Sequence, residues 1–248
     1  MPCVVSYGRH DFKKLQRQGL TGQTVMRNEK LAAYLSGFIT PRRMEKMRTV
    51  LAQRTRHITV VLEDIFQSQN ASAVLRSCEC FGVQDVHIIE NRYAFELNPE
   101  VVMGASKWLT MSRYHDYGNN TLACLQHLKQ QGYQLIATTP HKDDFSPATL
   151  PIGQKTALLF GTEMEGLSDD AREVADGYMQ IPMSGFTESF NISVSVAVSL
   201  YHLVNRIKSS VDVAWQLSEE EGNDILFEWM CKSVKNADSL IRHFYGQG

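Results

Sequence analysis

The stretch ITVVLEDIFQSQNASAVLRSCECFGVQDVHII, residues 58–89, decides the architecture. Residues 58–62 are a short, β-branched apolar run and read as a strand. A polar loop follows over 63–69. The next helix is expected over about 70–81, with Asn70 as its cap and Gly82 as its stop, glycine being the residue that most readily takes the left-handed turn past a helix end. Residues 86–89 form a second apolar strand. Strand, helix and strand in succession argue for an α/β fold with a largely parallel sheet.

The same alternation continues downstream. Strands are expected at 108–111, 134–138, 156–160 and 178–181, and helices at 122–129 and 168–175. The last of these opens on Ser168 followed by Asp169 and Asp170, a composition that suits a helix N-terminus. Residues 191–207 carry both a strand-like and a helix-like period; their length decides for helix. Ser218-x-x-Glu221 is a capping box, and the helix it opens places Leu226, Trp229, Ser233, Ala237, Leu240 and Phe244 on one side. Upstream of residue 58, Leu31, Leu35 and Phe38 keep a helical spacing until Pro41. A second helix then carries Met44, Met47, Val50 and Leu51 on one side. Three segments follow from this reading: 1–57, basic and partly helical; 58–208, the α/β domain; and 209–248, a helical tail. Residues 1–25 are weakly patterned, and Met26 is an alternative start.

Of 248 residues, 25 are basic and 27 acidic, a formal charge of −2 that hides an uneven distribution. Residues 1–57 hold twelve bases and three acids, net +9, and the remaining 13 bases and 24 acids give −11. A uniformly basic nucleic-acid coat is excluded, and a local basic arm is not. Hydrophobic content of 43% with 21% charged residues describes a globular chain. No apolar run approaches the roughly 18–20 residues of a membrane helix, and the N-terminus lacks the apolar core of a secretory signal. Five scattered cysteines give neither a zinc ligand set nor a disulfide framework. No metal is therefore expected, and a reducing, cytoplasmic setting is.

Ligands of parallel sheets bind at the carboxyl ends of strands, so the loops there carry the chemistry. In the first, Asn70 at the helix start and Arg76 six residues on frame an anion-binding helix end, or an ordinary cap and a surface arginine. The second, Phe160-Gly161-Thr162-Glu163-Met164-Glu165-Gly166-Leu167-Ser168, has two glycines that permit close backbone approach or a plain turn. It is neither a Walker loop nor G-x-G-x-x-G. The third runs from Ile181 to Asn191 through Pro182, Met183 and Gly185. It suits an adenine-like ring, or a tight turn with a cap.

Together the three loops resemble the TrmH-like branch of the SPOUT methyltransferases over roughly residues 44–208. That family's patterns are N-x-x-A-x-x-R, F-G-x-E-x-x-G-L-S and I-P-M-x-G-x-x-x-S-L-N-V-S-V. They are met by Asn70, Ala73 and Arg76, by Phe160, Gly161, Glu163, Gly166, Leu167 and Ser168, and by Ile181, Pro182, Met183, Gly185, Ser189, Asn191, Ser193 and Val194. Phe190 stands where leucine is usual, and Ile192 where valine is.

The resemblance implies a parallel sheet flanked by helices with a C-terminal trefoil knot, S-adenosylmethionine as cofactor, and methylation of a ribose 2′-hydroxyl of RNA by a homodimer. It implies that Thr138, Gly161, Ile181, Met183 and Phe190 line the cofactor site, and that Asn70, Arg76, Glu163, Ser189 and Asn191 form the polar catalytic set. It also suggests Arg76 as the base. A guanidinium, whose pKa exceeds about 12, is better suited to orienting a phosphate with its fork and stabilising developing negative charge. Arg42, Arg43, Lys46, Arg48, Arg54 and Arg56 are the expected RNA grip, the alternative being a solvated charged helix. The expected substrate is tRNA, at the D-loop guanosine in position 18. Ribosomal RNA, or a non-catalytic RNA-binding role, are the alternatives.

Overall fold

Helices α1 (Glu29–Ser36) and α2 (Pro41–Leu51) come first among the described residues of the computed structural model, which are 29–140, 142 and 144–246. Strand β1 (Ile58–Glu63), helix α3 (Ser68–Phe81), strand β2 (Asp85–Ile89), the short α4 (Pro99–Val102), a 3-10 turn at Ala105–Trp108 and strand β3 (Thr110–Tyr114) follow. Then come α5 (Asn120–Gln130), β4 (Gln134–Thr138), β5 (Thr156–Phe160), α6 (Asp169–Val174), β6 (Gly177–Met179), α7 (Ile192–Ser209), α8 (Glu219–Ser233) and α9 (Ala237–Gly246).

Every described pairing in the six-stranded sheet is parallel, in the order β3-β2-β1-β5-β4-β6. β1 and β5, side by side at the centre, are buried at every position, as strands covered on both faces must be. The pleat separates their side chains into two cores. Ile58, Val60, Leu62, Leu158 and Phe160 pack with Val74, Leu75 and Cys78 of α3 and with Val196, Leu200 and Leu203 of α7. Val61, Ala157 and Leu159 pack on the other face with Cys124, Leu125 and Leu128 of α5 and Ala171 of α6. The expected three-layer α/β arrangement is thus present.

Two local expectations are corrected. Asn70 is not the cap of α3: the helix starts at Ser68, the flanking Gln67 makes no side-chain cap bond, and Asn70 sits in the first turn with its amide committed elsewhere. The tail is two helices and not one, because Asn236 takes a left-handed turn (φ 58°) between α8 and α9. Apolar spacing persists across that break because Phe227, Met230 and Ile241 from both helices share one cluster with Leu31 and Leu35 of α1. The capping box of Ser218 and Glu221 forms as written.

The chain divides into two compact units. One is Thr55–Trp215; the other joins the segment ending at Arg54 to the segment beginning at Gln216. The first and last segments, expected to be separate, therefore make up one helical unit. Its boundaries lie at 54/55 and 215/216 where 57/58 and 208/209 were expected. Local contacts set them: Thr55 Oγ1 donates to the Trp215 carbonyl at 2.5 Å within the α/β unit. Arg54 stacks its guanidinium over Trp229, 5.3 Å from the ring centroid, within the helical one.

Candidate active site

β1 and β5 are neighbours, yet the rest of the chain departs from them in opposite directions. β2 and β3 lie beyond β1, and β4 and β6 beyond β5. Loops leaving the carboxyl ends of two such strands part company and leave a crevice. The residues meeting there are Asn70 of α3, Glu163 of the loop after β5, and Asn191, which caps α7. Asn70 Nδ2 donates to Glu163 Oε1 at 2.9 Å and to Gln67 Oε1 at 2.6 Å. Asn191 Nδ2 donates to the same Glu163 oxygen at 2.8 Å and to Asn70 Oδ1 at 3.1 Å. Asn191 Oδ1 accepts from the Ser193 N–H and hydroxyl at 2.9 and 2.6 Å. That cap fixes which way the amide is turned, leaving its NH2 for the carboxylate. Glu163 Oε2 makes no hydrogen bond among the described residues.

Beside this triad lies a cavity of about 370 Å³, and Thr138, Gly161, Ile181, Met183 and Phe190 all line it, as do Glu163 and Ser189. Its size falls in the range of small-molecule sites. Ile181, Met183 and Phe190 offer an apolar slot. Ser199 Oγ, on the wall formed by α7, is buried without a hydrogen-bond partner among the described residues. A ligand with a flat ring and polar substituents fits such a lining. Thr138 has a structural task as well: its hydroxyl donates to the Leu159 carbonyl at 2.7 Å and ties β4 to β5.

The loop after β5 folds back on itself. Thr162 and Gly166 exchange N–H···O bonds, both at 3.0 Å, and Gly166 is left-handed (φ 71°). A Cβ on Gly161 would lie 2.1 Å from the Gly166 carbonyl carbon and oxygen and 2.3 Å from the Leu167 nitrogen. Only glycine allows this backbone approach.

Glu63, which the sequence pattern assigns to a polar loop, anchors the same segment. It is 2% exposed and accepts from the Ser168 N–H at 2.8 Å, the Ser168 hydroxyl at 2.7 Å and the Thr121 hydroxyl at 2.6 Å. An acid placed directly at the end of an apolar strand was the available signal. Replacing Glu63 with alanine strands one buried and two part-buried donors. At about 1–3 kcal/mol for an unsatisfied donor, a loss of roughly 3 kcal/mol in unfolding free energy is expected, measured by urea titration. A Glu63→Ala protein as stable as the parent would remove the anchor role.

Arg76 does not join the triad. It is exposed on α3 and makes no hydrogen bond or ion pair among the described residues. Ser189 lies on the cavity wall, outside the hydrogen bonds that join the triad. In the helical unit, Arg42, Arg43, Lys46 and Arg48 are exposed on α2. Arg54 is corrected as an RNA contact because it is buried. Arg54 is 1% exposed beneath Trp229, and Arg56 pairs through Nε with Asp85 at 2.9 Å. Both follow α2, which stops at Leu51, so the helical charge stripe does not extend to them.

A family model described as the SpoU rRNA Methylase family matches residues 57–201. A tRNA (guanosine(18)-2′-O)-methyltransferase of Borreliella burgdorferi is 42% identical over 203 residues, covering 82% of this chain and 90% of that protein. An enzyme of the same description from Thermus thermophilus is 30% identical over 194 residues, 78% of this chain and 98% of its own. Among solved structures, the A. aeolicus TrmH/SpoU tRNA modifying enzyme superposes with a TM-score of 0.69 at 27% identity, covering 79% of this chain and 98% of that one.

Proposed function

The chain belongs to the SpoU rRNA Methylase family, and on that premise we propose that it methylates the ribose 2′-hydroxyl of guanosine 18 in tRNA, using S-adenosylmethionine. The observation that carries the reading is the Asn70–Glu163–Asn191 triad at the edge of the 370 Å³ cavity. When bound, the cofactor supplies an electrophilic methyl on a sulfonium centre. Thr138, Gly161, Ile181, Met183 and Phe190 are the residues that hold it. The family resemblance implies that these loops form a trefoil knot.

The chain's own groups then have positioning and charge to provide. Glu163 keeps one carboxylate oxygen engaged by two amides, which fixes its second oxygen as an acceptor for a ribose hydroxyl. Ser189 contributes a further hydroxyl on the cavity wall. Arg76, uncommitted in its own subunit, orients the target phosphate in the site of a second copy. Helix α7 supports such a homodimer: it exposes Val194, Val198 and Tyr201, spaced four and three apart, as an apolar stripe. Free thiols at Cys78, Cys80, Cys124 and Cys231 accord with a cytoplasmic protein.

Nucleoside mass spectrometry of tRNA incubated with the protein and S-adenosylmethionine tests the activity. 2′-O-methylguanosine is expected, mapped to position 18 by mass spectrometry of nuclease fragments, and its formation in ribosomal RNA incubated in parallel but not in tRNA would redirect the substrate. Mixing tests the shared site. Arg76→Ala and Gly161→Ala proteins are each inactive, but refolded together they form heterodimers with one intact composite site. About a quarter of wild-type activity should return by random pairing. No recovery would place Arg76 in the site of its own chain.

The exposed cations Arg42, Arg43, Lys46 and Arg48 are the remaining RNA grip. Changing all four to glutamine should reduce the slope of log Kd against log salt by about 3–4, since each phosphate contact contributes roughly 0.7–0.9. An unchanged slope would leave α2 a solvated helix.

A further inference from the structure

We propose that Phe66 and Tyr93 form a stacking platform for one unpaired base of the RNA loop that carries the target ribose, an inference that rests on the function proposed above. Phe66 lies in the loop after β1 and Tyr93 in the loop after β2, so both stand at the carboxyl end of the sheet. Their rings are 5.3 Å apart, tilted by 46°, and 50% and 45% exposed. Neither belongs to any of the apolar clusters among the described residues.

The two loops are held in register. Asp64, in a left-handed conformation (φ 54°), accepts from the Asn91 and Arg92 N–H groups at 2.7 and 2.9 Å. The pair is also tied to the triad on both sides. Gln67, next to Phe66, accepts from Asn70. Arg92, next to Tyr93, pairs with Glu165 in the loop that carries Glu163.

Unpaired RNA bases are recognised by stacking on aromatic side chains, with cations on the adjoining phosphates. Two exposed rings, close together at the carboxyl end of the sheet, match the stacking part of that chemistry. They are far smaller than the patch a stable protein interface needs.

The test uses the full chain. Phe66→Ala, Tyr93→Ala and the double variant are compared with Phe66→Trp and Tyr93→Phe. The readouts are tRNA affinity, S-adenosylmethionine affinity and subunit mass by light scattering. The double alanine variant should bind tRNA about 10- to 100-fold more weakly, with cofactor affinity and mass unchanged. The aromatic variants should bind as wild type.

Abasic nucleotides placed one at a time through the D-loop then locate the base. At one position the lesion should weaken wild-type binding about 10-fold and leave the double variant unaffected. Additive effects at every position, wild-type affinity in the alanine variants, or a change in subunit mass would each overturn the platform. A protein that shows the base coupling yet leaves tRNA unmethylated would instead overturn the enzymatic reading and keep the platform.

Discussion

Gly161→Ala is expected to lose S-adenosylmethionine binding by about 100-fold or more while the sheet stays folded. The added methyl would sit 2.1 Å from backbone atoms of Gly166, and no side chain can yield to make room. The loop's two reciprocal bonds between Thr162 and Gly166 would have to open. A shift of about 1 Å in a reacting site costs on the order of 100-fold in rate, and a cofactor held by the displaced loop should lose a comparable factor in affinity. The fold itself should survive, because Phe160 and Leu159 are held in β5 by its neighbouring strands. Calorimetric titration with the cofactor, alongside far-ultraviolet circular dichroism, checks both halves. An alanine variant that binds as the parent does would mean the loop reopens freely on binding.

Glu163→Ala is expected to lower kcat by about 100- to 1,000-fold with a small effect on cofactor affinity, in line with the loss of a positioned acid–base group. Glu163→Gln should fall between, since the amide oxygen still accepts from Asn70 and Asn191 but carries no charge. The three side chains share their hydrogen bonds, so their losses should not add. Once Glu163 is gone, removing Asn191 as well should cost little more. Single-turnover methylation rates for the two single variants and the double one decide this, and strict additivity would dissolve the triad into independent contacts.

The α/β architecture was legible because buried parallel strands are short apolar runs, and 134–138 and 156–160 match β4 and β5 residue for residue. Asn70, Glu163 and Asn191 were legible only as a pattern of three loops, 93 and 28 residues apart. No local rule says that such loops meet. Glu63 and Asp64 are not legible in the sequence, because a solvated loop acid and a buried acid with its donors look alike until the partners, Ser168 and Thr121 for Glu63, are folded against it. Arg54 misled for the opposite reason: its charge suggested solvent, whereas the face of Trp229, distant in sequence, covers it.

That pairing of Arg54 with Trp229 bears on how the protein is made. The helical unit takes its halves from either side of a 161-residue insertion, Thr55–Trp215. On a ribosome adding about 5–20 residues per second, α1 and α2 are finished roughly ten to forty seconds before the helices that complete their core. The α/β unit is complete in sequence by then. Cotranslational folding should therefore run from the middle of the protein outward, with the basic helix α2 synthesised before the sheet and secured after it.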